Sequence, residues 1–553
     1  MAAADGDPGV DRAQPVRRAG AAAFFVGLGI FLSRIVGLVR ERILATYFGA
    51  GLHADVLSAG LRLPNVLQNL LGEGTLSASL IPAYSALLGQ GRTAEAGRVA
   101  GAAFALLLGV AGAVSLLGVL FAPVIVTVFT PGFEGQRREL LITVVRILFP
   151  MTGLLVLSAW ALGILNSHRK FFLPYFAPVL WNAAIIGALI AFGSRLELDA
   201  LVVAAAWGAL LGGALQFVVQ LPAVWRLDRQ IRLNTGRREP AFREAVRKAG
   251  PAIMGRGVVQ LSGYLDLVLA SLLAVGALAR MRYAQTLYLL PISLFAMSVA
   301  AAALPDLARD RDGAIGALRD QTVGAVRRVA FFVVPSFVAF LALGDVLVAG
   351  LYRAGEFGAA DVRIVWLVLA GYSLGLLAST TTRVYQSAFF ALRDTATPAR
   401  IAFVRMLVAV VAGAVLMVQF EPITVLGMTI PAGVLASLDA AGAPLGPLGL
   451  ALGSALGAWV EWALLERALR AKLGHLRVGL GSWLKMFAAA IAAAGGGYAV
   501  SLGLAARPPL LTALVVAAVF GGIYLGATAA LGLPQAQATV RALLRRTRPP
   551  AAG

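Results

Sequence analysis

The sequence predicts an all-α polytopic membrane protein with about fourteen transmembrane helices. Of its 553 residues, 59% are hydrophobic and only 13% are charged, which is about half the charged share of an ordinary soluble protein. Apolar stretches of about 20 residues or more recur along the chain, and each is long enough to cross a hydrocarbon core ~30 Å thick. Most of them are apolar on every side, which suits helices that are surrounded by lipid.

The apolar stretches follow one another with mostly short connections. The first follows a polar tail and is too long for the apolar part of a cleavable signal peptide, so we expect it to remain as an anchor. The predicted spans are residues 21–46, 54–88, 95–129, 137–166, 173–194, 199–224, 243–274, 278–307, 318–351, 361–391, 397–419, 446–471, 481–504 and 509–532. The domain organisation predicted from them is a cytoplasmic tail (1–20), an N-terminal lobe (21–224), a basic cytoplasmic linker (225–248), a C-terminal lobe (249–471), two further helices (472–534) and a basic cytoplasmic tail (535–553).

Basic residues are concentrated in alternate connections between the spans. The connections 89–98, 225–248 and 467–477 are rich in Arg and Lys, whereas the connections on the opposite side hold few. Because such residues accumulate on the cytoplasmic side of a membrane, we expect both termini in the cytoplasm and the chain in the cell (inner) membrane. The same bias accounts for the net charge of +20, so we expect membrane lipids rather than nucleic acid as partners, and a monomer.

The two halves of the chain repeat a pattern of glycine and proline. Gly49 and Pro64 recur 227 residues later as Gly276 and Pro291. The first half has four extra residues near position 73, and beyond them the offset falls to 223 for Thr130–Phe133 against Arg353–Glu356 and to 224 for Pro174 against Pro398. The pattern predicts two six-helix lobes in a pseudo-twofold repeat, with a site between them and two C-terminal helices outside the repeat.

Sequence features of soluble enzymes are missing. The chain has no cysteine, so a thiolate metal site and a cysteine nucleophile are excluded, and its three histidines lie far apart. There is no phosphate-binding P-loop and no GxSxG motif around a nucleophilic serine. We therefore predict that the protein is not an enzyme and has no resident cofactor.

Ionisable residues inside the predicted spans are the candidates for function. Such residues are costly in lipid and normally face a cavity or a partner. Arginine outnumbers carboxylate among them, and a surplus of guanidinium favours an anion, above all a phosphate. The set comprises Arg34, Arg40, Glu41, Arg42, Asp55, Arg62, Glu73, Arg146, Arg256, Asp266, Arg280, Arg282, Arg383, Arg405 and Glu461, with the amides Asn65, Gln68 and Asn69 on the second span.

Structural explanations compete at several of these positions. Arg42, Arg280 and Arg282 lie near helix ends, where they could extend to lipid headgroups. Asp55 could pair with Arg62 or Arg34 simply to hold helices together. The sequence Gly72-Glu73-Gly74 could be a hinge, although a carboxylate at membrane depth favours a broken helix at a functional point.

Several short motifs recur in a characteristic order and spacing along the chain. They are Ser33–Glu41, Phe48–Gly51, Ala54-Asp55, Arg62–Asn65, Gly72–Gly74, Ile81-Pro82, Thr130–Phe133, Arg146 with Phe149-Pro150, Leu165-Asn166, Pro174 with Ala177-Pro178, Gly250–Ala252, Tyr352 with Gly355 and Phe357, and Asp394 with Thr397-Pro398. With these motifs the chain resembles the MurJ/MviN family of lipid II flippases, within the multidrug/oligosaccharidyl-lipid/polysaccharide exporter superfamily. The resemblance covers roughly residues 22–535 and is strongest in the first 180.

The resemblance implies a transporter of lipid II, the undecaprenyl-pyrophosphate-linked disaccharide-pentapeptide precursor of peptidoglycan. The implied movement is from the cytoplasmic to the outer leaflet by alternating access, with a central cavity between the lobes. Arg40 would anchor the pyrophosphate, and the implied substrate-binding set is Arg34, Arg40, Glu41, Asp55, Arg62, Asn65, Glu73, Arg146 and Arg256. A coupling ion, sodium or proton, or the membrane potential would drive transport, with Asp266 as a sodium ligand.

The chain also departs from the family pattern. Gln68-Asn69 stands where an Arg pair is usual, Gln285-Thr286 where an acidic residue and Arg are usual, and Ala412-Gly413 where a polar sodium ligand is expected. If the substrate is still a pyrophosphate, Arg256 is the first candidate and Arg282 the second to replace the missing Arg. The connection 421–447 is longer than usual.

Other functions therefore stay open. A related protein of the same superfamily would export another lipid-linked glycan or a drug, and the motifs of residues 33–73 argue against the drug. A membrane glycosyltransferase would need a large extramembrane loop with carboxylates, and no connection here is long enough. A non-transporting scaffold is suggested only by the missing arginines.

Overall fold

The apolar stretches form helices in the computed structural model of the chain, which describes residues 13–65, 68–69, 80–236, 238–293, 315–425, 428–438, 444–476 and 479–537. The helices of the first half are α1 (Ala13–Phe48), α2 (Leu52–Arg62), α3 (Ile81–Gly89), α4 (Thr93–Leu120), α5 (Ala122–Phe129), α6 (Gly135–Ser167), α7 (Phe172–Phe192), α8 (Leu198–Val218) and α9 (Leu221–Leu227).

The described part of the second half contains ten further α-helices. They are α10 (Pro240–Ser271), α11 (Ala277–Pro291), α12 (Ile315–Ala342), α13 (Gly344–Tyr352), α14 (Ala359–Ser373), α15 (Leu376–Ala391), α16 (Ala396–Phe420), α17 (Gly446–Leu473), α18 (Leu480–Gly503) and α19 (Pro509–Ala530).

The helices confirm the predicted fold class. Within the described ranges, ten helices, with α8 continued through α9 and α14 through α15, are long and apolar enough to cross a membrane. The chain is thus an all-α polytopic membrane protein, while the number fourteen stays a prediction.

The chain forms two compact units. Unit 1 comprises the described residues within 1–47, 56–129 and 133–261, and unit 2 those within 48–55, 130–132 and 262–553. In unit 1 the Trp160 indole N–H on α6 donates to the carbonyl of Ala100 on α4 at 3.1 Å, inside a core of Leu, Val and Ala side chains. In unit 2 the Tyr524 hydroxyl on α19 donates to the carbonyl of Phe331 on α12 at 2.7 Å, so the last helix packs on this unit's core.

The predicted repeat is visible in local backbone geometry. Arg169 and Arg393, 224 residues apart, have φ of 58° and 59° and are the non-glycine residues of positive φ in the described part of the chain. Each ends a helix with the same pair of hydrogen bonds. Lys170 N donates to Leu165 O and Arg169 N to Asn166 O, and the equivalent bonds run from Asp394 N to Phe389 O and from Arg393 N to Phe390 O. This is the Schellman helix end, in which the residue after the helix is left-handed.

Helix boundaries repeat at nearly the same offset. The starts of α5 and α13 differ by 222 residues, while those of α6 and α14, and of α7 and α16, differ by 224. The single predicted spans 95–129 and 318–351 are each broken into two helices, at Phe121 and Leu343. Since both halves break at equivalent points, the break belongs to the repeated unit.

The long connection 421–447 contains structure that the all-α prediction did not include. Strands β1 (Ile423–Val425) and β2 (Met428–Ile430) form an antiparallel hairpin, followed by a 3₁₀ helix (Val434–Leu438). Glu421, 5% exposed, anchors the segment by accepting from the backbone N–H of Ala274 (2.5 Å) and of Gly446 at the start of α17 (3.2 Å). One carboxylate therefore links three helix ends.

Candidate substrate site

Arg40 lies on α1 eight residues before the end of that helix, about 12 Å along its axis. Its Nη1 donates to Asn182 Oδ1 at 2.8 Å, and its Nη2 donates to Glu41 Oε1 at 2.5 Å. Its side chain is 14% exposed. Two separate acceptors therefore fix the plane of the guanidinium, which is the property that lets Arg present several N–H groups in a fixed fork.

Helix α7 supplies the other side of this site. Asn182 lies at the middle of α7, ten residues from either end, and its Nδ2 donates to the carbonyl of Pro178 at 3.1 Å. That bond leaves Oδ1 directed at Arg40. The neighbouring Trp181 ring lies 4.8 Å from the Arg40 guanidinium carbon, a cation–π contact. Residues at the middle of α7 thus hold the Arg40 guanidinium.

Glu41 makes the site an ion pair rather than a bare cation. It is 3% exposed, and an isolated carboxylate so deeply buried would be strongly unfavourable. Paired with Arg40, it neutralises one charge while the guanidinium keeps its orientation. An approaching phosphate could then use N–H groups that are already positioned.

The other candidates on unit 1 add positive charge. Arg34 and Arg62 are half-buried, on α1 and in the last turn of α2, and Asn65 is exposed. Arg146, eleven residues into α6, is exposed, and within the described ranges its side chain makes no hydrogen bond or ion pair. Among the described candidates on unit 1, arginines therefore outnumber carboxylates by four to one, and the carboxylate is Glu41.

Asp55 acts as a helix cap within unit 2. It is fully buried, and its oxygens accept from the backbone N–H of Gly276 at 2.6 Å and of Ala279 at 2.8 Å. These N–H groups belong to the buried start of α11, where backbone donors lack intrahelical partners. Gly276 has φ of 94°, and a Cβ there would lie 2.0 Å from the carbonyl oxygen of Ala50. The geometry of the cap thus requires glycine at position 276, and Asp55 has a structural role in this conformation.

Some predicted site residues lie outside the described part of the chain. Glu73 and the Gly72-Glu73-Gly74 sequence fall there, as does the side chain of Arg256 on α10. Asp266, the predicted sodium ligand, is half-buried on α10. Among the residues described, no group of three or more His, Asp and Glu side chains is placed to hold a metal ion, so Asp266 as a sodium ligand stays a prediction.

The two residues of α11 that depart from the family pattern, Gln285 and Thr286, are uncharged and have hydrogen-bond partners. Gln285 Nε2 donates to the Tyr372 hydroxyl at 2.8 Å, and the Thr286 hydroxyl donates to the carbonyl of Arg282 on its own helix at 2.9 Å. Arg280, for which an extension to lipid headgroups was the alternative, is 12% exposed and lies 3.9 Å from Asp361. Its position is therefore that of a partly buried ion pair.

Sequence reasoning did not single out Trp181 or Asn182. The available signal was an amide in the middle of the apolar span 173–194, close after two prolines. An uncharged polar side chain costs less in a membrane than an ionised one, so an amide in an apolar span is a weaker indication of function than an arginine. Its partner Arg40 is 142 residues away along the chain, and no pattern in the sequence joins the two.

Known proteins match this chain over most of its length. The family model described as "Lipid II flippase MurJ" matches residues 44–506. The lipid II flippase MurJ of Burkholderia cenocepacia is 32% identical over 378 residues, 67% of this chain and 73% of the relative. The probable lipid II flippase MurJ of Rhizobium tropici is 31% identical over 384 residues, 68% and 71% of the two chains.

Solved structures show the same fold. A lipid II flippase MurJ in an inward closed conformation superposes with a TM-score of 0.74 at 21% identity, over 92% of this chain and 98% of that one. An inward-facing multidrug-resistance MATE transporter of the MOP superfamily gives 0.63 at 16% identity, over 82% and 98%. The family model covers far more than half of the sequence, and its match begins at residue 44, four residues after Arg40. On this match, the chain belongs to the MurJ family of lipid II flippases.

Proposed function

We propose that this protein is a lipid II flippase that moves undecaprenyl-pyrophosphate-linked disaccharide-pentapeptide from the cytoplasmic to the outer leaflet by alternating access. The observation that carries the proposal is the Arg40 guanidinium, held at membrane depth by Asn182 and Glu41. Membership of the MurJ family supports the same substrate.

The pyrophosphate is the part of lipid II that needs the protein most. Its charges cannot cross a hydrocarbon core unless the water around them is replaced by other hydrogen-bond donors. Arginine forks supply such donors as charge-assisted hydrogen bonds, which are stronger than bonds between neutral groups. Arg40 is already oriented for this role, and Arg34, Arg62 and Arg146 add positive charge on the same unit.

Transport of this kind makes and breaks no covalent bond. The protein would bind the head group from one side and release it on the other after a change in conformation, while the polyprenyl chain stays in lipid. Coupling to sodium, to protons or to the membrane potential would give direction. We propose Asp266 as the carboxylate to test for sodium, because it lies within a predicted span and is half-buried.

A second candidate is the export of a different lipid-linked glycan. The neutral Gln285 and Thr286, at positions where the family pattern has charge, favour it. Both candidates share the pyrophosphate and differ in the sugar, so only the first should support peptidoglycan synthesis.

Complementation distinguishes the two. In a bacterial strain whose own lipid II flippase can be shut off, expression of this chain should restore growth and cell shape. The charge-neutral double variant Arg40→Gln/Glu41→Gln should fail, because it removes the fork without leaving the buried Glu41 unpaired. Arg40→Lys should restore growth partly, since it keeps the charge and loses the fork.

The matched control is Arg195→Gln, which removes an exposed arginine just beyond α7 and should grow like the unchanged chain. The proposal is wrong if the unchanged chain reaches the membrane in normal amount and growth does not return. If cells that express the double variant grow normally, Arg40 is not part of the substrate site.

A further inference from the structure

Three neighbouring helices of unit 2 carry a charged cluster, which we call the three-helix cluster: Arg383 on α15, Arg405 on α16 and Glu461 on α17. Glu461 is 1% exposed. Its Oε2 accepts from Arg405 Nη1 at 2.8 Å, and its Oε1 accepts from Gln386 Nε2 at 3.1 Å. Both carboxylate oxygens therefore have donors, and the charge of Glu461 is balanced by Arg405.

Arg383 adds a second positive charge to this cluster. Its guanidinium interacts electrostatically with both Arg405 and Glu461. In the described part of the chain, however, its side chain makes no ion pair and no hydrogen bond, and it is exposed. With two guanidiniums and one carboxylate, the cluster has a surplus of one positive charge.

The surplus lies well inside the membrane-crossing helices. Arg383 is eight residues before the end of α15, about 12 Å along the axis. Arg405 is nine residues after the start of α16, about 14 Å, and Glu461 is twelve residues before the end of α17, about 18 Å. An unmatched cation at such a depth is costly and usually marks a binding site or an ion pathway.

Polar hydroxyl groups border the cluster. Tyr288 on α11 interacts electrostatically with both arginines, and its hydroxyl donates to Ser379 Oγ on α15 at 3.2 Å. Ser379 and Arg383 are four residues apart and so lie on one face of α15. Arg383 is thus next to groups that can donate or accept hydrogen bonds, which suits an anion with several oxygens.

We propose that Arg383 and Arg405 form a second anion site, which binds the diphosphate of a polyprenyl-diphosphate lipid. This rests on the proposed function, which supplies a lipid-linked diphosphate as the ligand. A diphosphate carries more than one negative charge, so it can match the free charge of Arg383 and still bond to Arg405. A ligand that reaches this depth must also be compatible with lipid, and a polyprenyl chain provides that.

The test measures lipid binding to the purified full-length protein. The probes are lipid II, undecaprenyl diphosphate, undecaprenol and inorganic pyrophosphate, and the variants are Arg383→Gln and Arg383→Lys. Arg400→Gln is the control, because Arg400 is exposed and is the fifth residue of α16. Since Arg383 has no described partner to lose, Arg383→Gln should keep the Tm of the lipid-free protein.

We expect Arg383→Gln to weaken binding of both diphosphate lipids roughly ten- to a hundredfold, the range for losing a hydrogen-bonded charge. Arg383→Lys should lose less of this affinity. The affinity of Arg400→Gln for both lipids should stay within about twofold of that of the unchanged chain, as expected for an exposed charge. Undecaprenol should bind the unchanged chain and Arg383→Gln alike. Inorganic pyrophosphate should bind far more weakly than either diphosphate lipid.

The outcomes separate this site from the proposed function. If lipid II binds the unchanged chain and Arg383→Gln equally, the second site is wrong and the function stands. If binding of undecaprenyl diphosphate depends on Arg383 but lipid II does not bind, the second site stands and lipid II is the wrong substrate. Inorganic pyrophosphate binding as tightly as the diphosphate lipids would contradict a lipid site, and binding of neither diphosphate lipid would overturn both proposals.

Discussion

At the scale of single residues, charge in apolar segments indicates candidate site positions but not the partners of those residues. Arg40 was predicted because an arginine in a predicted span needs an anion or a carboxylate. Asn182 and Trp181, which orient it, are far away in sequence and carry no charge. Asp55 was predicted as a substrate contact or an ion-pair partner, which stays a prediction, and the structure adds that both its oxygens accept from backbone N–H groups. A sequence pattern cannot reveal that a carboxylate accepts from the backbone of a distant helix end.

A histidine outside the membrane-crossing segments predicts a pH dependence of stability. The Tyr84 hydroxyl donates to Asp228 Oδ2 at 3.0 Å and lies 2.9 Å from His168 Nε2, so the ring N–H donates to the tyrosine oxygen. Burial lowers the pKa of His168, and the nearby Asp228 carboxylate only partly opposes this. A histidine with a lowered pKa stabilises the fold above its unfolded pKa of about 6.5, and that contribution is lost as the pH falls through the folded value.

The expected result is a Tm of the purified protein that falls on acidification from about pH 8 to pH 5. His168→Gln keeps a donor but cannot titrate, so its Tm should fall less over this range. His475→Gln, which changes an exposed histidine, is the control and should behave like the unchanged chain. Equal pH dependence in His168→Gln and the unchanged chain would show that His168 does not contribute.

At the scale of helices and turns, the repeat was the most informative feature of the sequence. The offsets of glycine and proline predicted it, and the paired Schellman ends at Arg169 and Arg393 follow the same spacing. The breaks at Phe121 and Leu343 were not predicted, because the residues around each break are mostly apolar and hydropathy is insensitive to an interruption of the helix. The β-hairpin 423–430 was missed for a related reason, since its strands have only three residues each.

The cap of α11 gives a prediction at this scale. Asp55→Ala leaves the N–H groups of Gly276 and Ala279 without their acceptor, so it should destabilise unit 2 by about 2–4 kcal/mol. Asp55→Asn, which keeps one acceptor oxygen, should have a smaller effect. The measurement is the Tm of the purified variants.

Asp345→Ala is the matched control, because Asp345 lies in the first turn of α13 and makes no hydrogen bond among the described contacts. Its Tm should stay close to that of the unchanged chain. Equal losses of Tm in Asp55→Ala and Asp345→Ala would show that the buried cap adds nothing beyond the usual preference for acid at a helix start.

At the scale of the whole molecule, composition alone predicted the fold class. A chain with 59% hydrophobic residues and long apolar segments has few alternatives to a helical membrane protein. Composition does not identify the substrate, which was inferred from the motifs of residues 33–82 and from the match to the MurJ family. The orientation of the termini rests on the bias of Arg and Lys among the connections and stays a prediction.

The most direct test is the appearance of lipid II on the outer surface of cells. In the flippase-depleted strain with radiolabelled precursor, a membrane-impermeant enzyme that cleaves the lipid II pyrophosphate is added to intact cells, and the released soluble fragment is measured. Cells expressing this chain should release fragment at the level of cells with their own flippase, and Arg40→Gln/Glu41→Gln should release no more than cells with an empty vector. If the unchanged chain is present in the membrane at a normal level and releases no more fragment than the empty vector, the protein is not a lipid II flippase.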